Sequence, residues 1–305
     1  MKILLMGFIL FFSTLASAVS LNKMVVFGDS LSDNGNLYEY MKHQLPVSPP
    51  YFEGRFTNGP VWVEILTQYY YPGATAAHLF DYAYGGAGVM EDGDDDGVFT
   101  LRTEMDTYFL ANHDKADDDS LYIIWIGSNN YLAVPDDLDK SIQEVSLGLF
   151  HALQRLAEKG AKHVLVVTVP DLGLTPAARD YDAVERMTYL SLQHNQILKD
   201  NLTSLKQQYP QVEWYYFDVN WLLDDIISEP ARFGFINTTN TCYEALVSSP
   251  SSRTILNIAA NLRPKLHDAC EGYLFFDPVH PGALAHEMMA ERVKTLLEAR
   301  GVDFK

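Results

Sequence analysis

Apolar runs of strand length recur along the chain at Met24–Phe27, Leu79–Tyr84, Leu121–Ile126, His163–Val169 and Val212–Phe217. Between them lie stretches whose apolar residues return every three or four positions. These are Pro60–Tyr70 after the cap-like Asn58, Leu101–Leu110, Ile142–Lys159 ending at Gly160, Met187–Gln208 ending before Pro210, and Ala283–Arg300 ending at Gly301. Alternation of strands and helices at these lengths predicts an α/β fold, a parallel sheet covered by helices on both faces. In such a sheet ligands sit at the carboxyl ends of the strands, so the segments that follow each strand are where chemistry is to be sought.

The chain opens with Met1-Lys2, an apolar run from Ile3 to about Leu15, and Ala16-Ser17-Ala18. A charged start, a short apolar middle and an A-x-A end form the pattern of a secretory signal peptide, assigned here to residues 1–18. The run is shorter than the about 20 apolar residues of a membrane span. The expected product is therefore exported, periplasmic or extracellular, with no transmembrane segment. With 48% hydrophobic and 20% charged residues the remainder reads as globular. No Pro/Gly/Ser linker, repeat or low-complexity block divides it, so residues 19–305 are expected to form one domain.

A formal net charge of −18 disfavours nucleic acid and anionic membrane surfaces as partners and suits a neutral or zwitterionic substrate. The two cysteines, Cys242 and Cys270, lie in the exported part and are expected to pair in an oxidising compartment. Closing that loop stabilises by roughly 3.5 kcal/mol on the chain-entropy argument. A metal or thiol pair is disfavoured, because neither cysteine has a second Cys or a His at ligand spacing.

Candidate chemistry begins where the first strand runs into Gly28-Asp29-Ser30-Leu31-Ser32-Asp33. A serine on the turn leaving a strand, where the next helix is expected to begin, is presented at the sheet edge near unpaired backbone N–H groups. A serine nucleophile needs a base, and a neutral imidazole needs a carboxylate to fix its tautomer. Of the nine histidines only His280 has an acid three residues before it, in Asp277-Pro278-Val279-His280-Pro281-Gly282. Donors for an oxyanion are offered by Gly85-Gly86-Ala87 after the second strand and by Gly127-Ser128-Asn129-Asn130 after the third.

These four segments resemble the sequence blocks of the GDSL, or SGNH, hydrolases: Phe27-Gly28-Asp29-Ser30-Leu31-Ser32-Asp33, Gly85-Gly86-Ala87, Gly127-Ser128-Asn129 and Asp277-Pro278-Val279-His280. Phe56-Thr57-Asn58-Gly59-Pro60-Val61-Trp62 and Val169-Pro170-Asp171-Leu172-Gly173 are similar to further hallmarks of that family. The resemblance implies a flavodoxin-like three-layer α/β/α sandwich, with Ser30 as nucleophile, His280 as base and Asp277 as its partner. It also implies an oxyanion hole made by the Ser30 amide, Gly86 and Asn129. Asp81 stands where many members have asparagine, and Asn130 where many have aspartate, which bears on the support of that hole. Phe233-Gly234-Phe235-Ile236-Asn237 before Cys242 is similar to the branch containing secreted lysophospholipases A and glycerophospholipid:cholesterol acyltransferases. That branch implies a lipid or lysophospholipid substrate, a sterol as a further acyl acceptor, and no cofactor.

An esterase that removes acetyl groups from sugars would use the same residues and is the alternative reading. A metal-dependent phosphoesterase is disfavoured because no second ligand cluster accompanies Asp29 and Asp33, and an α/β-hydrolase because no G-x-S-x-G occurs. Asp92-Gly93-Asp94-Asp95-Asp96-Gly97 follows the start of a calcium-loop pattern, but the twelfth position is Thr103 rather than glutamate, so a solvated acidic loop is expected and no metal. Between the cysteines, Ser248–Arg253 is small and polar, like an exposed loop tip, and Ile255–Leu262 is apolar enough to cover a groove. This predicts a tethered lid whose partner is an activating protease; a purely structural staple is the competing reading.

Overall fold

The computed structural model describes residues 19–89, 99–243 and 270–305. The expected signal peptide, the acidic loop and the lid segment lie outside the described residues. Nine strands follow one another among the described residues: β1 Val19–Leu21, β2 Lys23–Gly28, β3 Leu79–Asp81, β4 Ser120–Trp125, β5 His163–Val167, β6 Glu213–Phe217, β7 Asn237–Thr241, β8 Tyr273–Phe275 and β9 Val302–Phe304. Five of them form the central sheet in the order β3-β2-β4-β5-β6, every pair parallel. Small parallel pairings of β1 with β9 and of β7 with β8 stand apart from it.

Because strand side chains alternate between faces, the sheet divides its apolar residues between two cores. Val25, Phe27, Tyr122, Ile124, Val164 and Val166 pack toward helices Leu101–Ala111, Leu138–Glu158 and Val184–Gln208. Met24, Val26, Leu121, Ile123, Leu165 and Val167 pack toward helices Trp62–Tyr70, Val219–Ser228 and Ala283–Ala299. The result is the three-layer α/β/α arrangement expected from the periodicity.

Several element boundaries differ from the sequence reading. The helix expected from Ile142 begins at Leu138, because Asp137 accepts the Lys140 N–H at 3.0 Å and so starts a polar first turn that carries no apolar signal. Helix Val219–Ser228 is absent from the periodicity reading; Asp218 caps it through the Asn220 N–H at 3.1 Å. Asn58 does not cap the helix that follows it, which starts at Trp62 with the Glu64 carboxylate on the Val61 N–H. No helix begins at Ser30. The Asp29 carbonyl accepts the Ser32 and Asp33 amides in an isolated turn, and the next helix, Asn36–Tyr40, starts only after left-handed Gly35.

The strand order gives the site its place. The chain leaves β2, adds β3 on one side and then crosses to β4 on the other, so β2 and β4 flank a topological switch point of the kind that opens a crevice at the carboxyl edge. Registers Gly28↔Trp125 and Val26↔Asp81 bring the turns after β2, β4 and β3 out side by side.

Candidate active site

Ser30 emerges in that crevice, 7% exposed. Its Oγ lies 2.7 Å from Nε2 of His280, and Nδ1 of His280 lies 2.6 Å from Oδ2 of Asp277. An ionised carboxylate can only accept, so Nδ1 carries the imidazole proton and Nε2 is left to receive the Ser30 hydroxyl. Asp277 Oδ1 accepts the amides of Val279 at 2.9 Å and His280 at 2.7 Å, which folds acid and imidazole onto one turn. Burial works to raise the Asp277 pKa, but the charge of His280 and the hydrogen bonds from His280, Tyr51 and Val279 together hold it below the ordinary value. The group facing the imidazole is thus an anion. The three sequence-predicted residues, separated by 250 positions between Ser30 and His280, are brought into one relay.

The expected oxyanion donors lie on the adjoining loops. Asp33 binds the β2 turn to the β3 loop: its Oδ1 takes the Gly35 and Asn36 amides, and its Oδ2 takes those of Leu37 and, at 2.7 Å, Gly85. Gly86 follows at φ +83°, a conformation that L side chains rarely adopt, and its amide has no acceptor among the described residues. Asn129 opens a short helix after β4 and donates one Nδ2 hydrogen to the Ala87 carbonyl at 2.8 Å, which leaves its second hydrogen for another acceptor. The two unusual residues are both structural supports here. Asp81 accepts the Ala83 and Asn34 amides, and Asn130 Oδ1 accepts the Val89 amide at 3.0 Å.

Other contributors carry no local sequence signal. Tyr51 donates its hydroxyl to Asp277 Oδ2 at 2.7 Å, and the Phe56 ring centroid lies 5.2 Å from that of His280. Glu104 takes the Gly28 N–H at 2.9 Å from beneath the Ser30 turn; burial, chiefly, keeps its pKa well above the ordinary range. His286 accepts the Trp62 N–H on Nδ1 at 3.2 Å and is held neutral, its pKa pressed down to about 3 by burial and by His280.

From Ser30 and His280 a groove runs between helices Val219–Ser228 and Ala283–Ala299, enclosing about 890 Å³ with its open mouth. Leu222, Leu223 and Ile226 of the first helix and Ala285 and Met289 of the second line it, together with Phe275. This stretch of the lining is apolar, while Asp29, Asn129, Asp171 and Thr175 also border the groove. Among the described residues no three His, Cys, Asp or Glu side chains converge as a metal ion would require. Cys242 and Cys270 form a disulfide.

Comparison with known proteins gives a consistent picture. Residues 24–293 match the family described as GDSL-like Lipase/Acylhydrolase. The chain is 33% identical to a phosphatidylcholine-sterol acyltransferase of Aeromonas hydrophila, over 93% of this chain and 92% of that protein. It is 28% identical to the secreted effector protein SseJ of Salmonella typhimurium, over 91% of this chain and 64% of the effector. It is 26% identical to the thermolabile hemolysin of Vibrio parahaemolyticus, over 90% of this chain and 63% of the hemolysin. The chain thus spans nearly all of the first relative and just under two thirds of the other two.

Proposed function

Because the chain belongs to the GDSL-like lipase/acylhydrolase family, we propose that it is an exported serine ester hydrolase. In this reading it is a lysophospholipase A or phospholipase A that releases fatty acids through an acyl-enzyme on Ser30. The observation that carries it is the Ser30–His280–Asp277 relay opening directly onto an apolar groove.

In this reading the acyl chain lies along Leu222, Leu223, Ile226 and Met289, and the head group stays in water outside an acidic protein, where a zwitterion suits. His280 Nε2 takes the Ser30 proton as Oγ bonds to the ester carbon, and Asp277 stabilises the imidazolium. The developing oxyanion is met by the Ser30 and Gly86 amides and by the second Asn129 Nδ2 hydrogen. His280 then returns the proton to the departing glycerol oxygen, and water, activated by the same imidazole, resolves the acyl-enzyme. A sterol hydroxyl in place of that water would give acyl transfer, a reading supported by the activity for which the Aeromonas relative is named.

The deciding experiment is a panel of lysophospholipids, diacyl phospholipids, short acyl esters and acetylated sugars, with and without cholesterol, run on wild type beside Ser30→Ala. Fatty-acid release lost in Ser30→Ala is the expected result. Preferential release of acetate from sugars would transfer the assignment to a carbohydrate esterase.

A further inference from the structure

Among the described residues, four donors hold the Asp277 carboxylate. Three belong to its own turn: the amides of Val279 and His280 on Oδ1 and the His280 Nδ1–H on Oδ2. The fourth, the Tyr51 hydroxyl on Oδ2 at 2.7 Å, arrives from a loop 226 positions away. Among the described residues only this donor ties the acid to a different part of the molecule. The Tyr51 ring is itself fixed by aromatic neighbours. It stands edge-on to Phe276 at 5.1 Å and near Tyr243 at 5.7 Å and Phe56 at 6.0 Å. The Tyr243 N–H donates to the Phe276 carbonyl at 2.7 Å, and the adjoining Cys242 is bridged to Cys270.

On the triad reading proposed above, we infer that Tyr51 is a positioning residue of the reaction. Its hydroxyl fixes the Asp277 oxygen that orients His280 and draws off part of the charge which that oxygen presents to the imidazole. A donor bonded to an ionised acceptor is stronger than a neutral pair, so the contact is worth enough to register in turnover. Burial, and next the Asp277 charge, push the phenol above its ordinary pKa, so it stays a donor and no proton leaves it. Among the described residues, the titratable groups around the Asp277–His280 pair are Tyr51 and Tyr243, Asp29 on the nucleophile turn and His286 on helix Ala283–Ala299. Tyr51→Phe alters only one of them, so a changed pH profile reports the missing hydroxyl.

Losing the donor concentrates charge on Oδ2 and stabilises the imidazolium over the neutral ring. The pH profile of a soluble short-chain ester should therefore show, in Tyr51→Phe, an acid limb of kcat/KM moved upward by about half a pH unit. kcat should fall roughly tenfold while KM stays within about twofold. Thermal melting checks that the variant folds. In a second variant, 3-fluorotyrosine at position 51 keeps ring and hydroxyl but donates more strongly, and should move the limb downward. An unmoved limb in both variants overturns the inference, even if kcat falls. Ser30→Ala in the same assay separates the two readings: residual activity there defeats the triad itself, whereas an inactive Ser30→Ala beside unmoved limbs defeats the role of Tyr51 alone.

Discussion

Asn58 Oδ1 accepts the Ala283 N–H at 2.8 Å and so caps helix Ala283–Ala299 from a loop 225 positions upstream. The neighbouring Thr57 hydroxyl donates to the Pro281 carbonyl at 2.8 Å. Glycine at position 59 is required by the same approach, since an added Cβ would stand 2.7 Å from the Ala283 Cβ. Together these contacts clamp the far side of the turn that carries His280. Asn58→Ala should cost about 1 kcal/mol of stability as a lost helix cap, read by denaturant unfolding. Because the clamp sets the position of His280, kcat should fall more than KM rises. An unchanged unfolding midpoint would show that the cap contributes nothing to stability.

The relay geometry makes direct demands on its members. A serine-directed phosphonate should label Ser30, and Ser30→Ala should abolish labelling and hydrolysis. Asp277→Asn should fold and lose on the order of 10⁴-fold in kcat, because an amide nitrogen facing Nδ1 selects the wrong tautomer. Asn129→Ala should be milder, about 3 kcal/mol of transition-state stabilisation if its second hydrogen meets the oxyanion. Unchanged turnover in Asn129→Ala would take it out of the hole, and a chelator-sensitive, fully active Ser30→Ala would replace the mechanism with a metal-dependent one.

Leu223 is half-buried on the groove wall. Leu223→Trp should narrow the groove and lower kcat/KM for long-chain lysophospholipids by roughly tenfold or more, the scale on which apolar pockets discriminate. Short-chain esters such as acetates and butyrates should be spared. Equal losses on short and long chains would mean that the acyl chain lies elsewhere.

Asp29 is buried beside Ser30. Its Oδ1 takes the Leu31 N–H at 3.0 Å, while Oδ2 has no partner among the described residues. Burial, chiefly, lifts its pKa from 3.8 to about 6. An acid raised in the folded state makes the folded chain bind more protons than the unfolded one between those two values, so stability falls as pH rises through that window and is level above it. Asp29→Asn retains an oxygen for Leu31 and removes the titration. Its stability relative to wild type should therefore grow from pH 3.8 to about 6 and then stay constant. Parallel stability curves would show that Asp29 ionises normally.

Much of the site is legible in the amino-acid sequence, because its chemistry is local to strand ends. Ser30 lies two residues beyond β2, Asn129 follows β4 after a short turn, and Asp277 with His280 needs only a three-residue spacing to share a turn. The alternation of apolar runs and helical periods likewise specifies a covered parallel sheet, since each segment's pattern is set by the faces it must bury. What the chain alone does not reveal is who meets whom across it. The donor to Asp277 from Tyr51, the cap on Ala283 from Asn58 and the carboxylate of Glu104 under Gly28 pair residues separated by 226, 225 and 76 positions. A hydroxyl, an amide or a carboxylate has many partners within its chemistry, and packing decides which one comes within hydrogen-bond reach. Helix Val219–Ser228 belongs to the same class. Its residues are consistent with a helix, but that they wall the groove beside Ser30 follows only from the placement of β6 at the sheet edge. Local pattern therefore determined the sheet, the Ser30 turn and the Asp277–His280 turn, and tertiary packing decided how those turns are braced and what shape of groove they face.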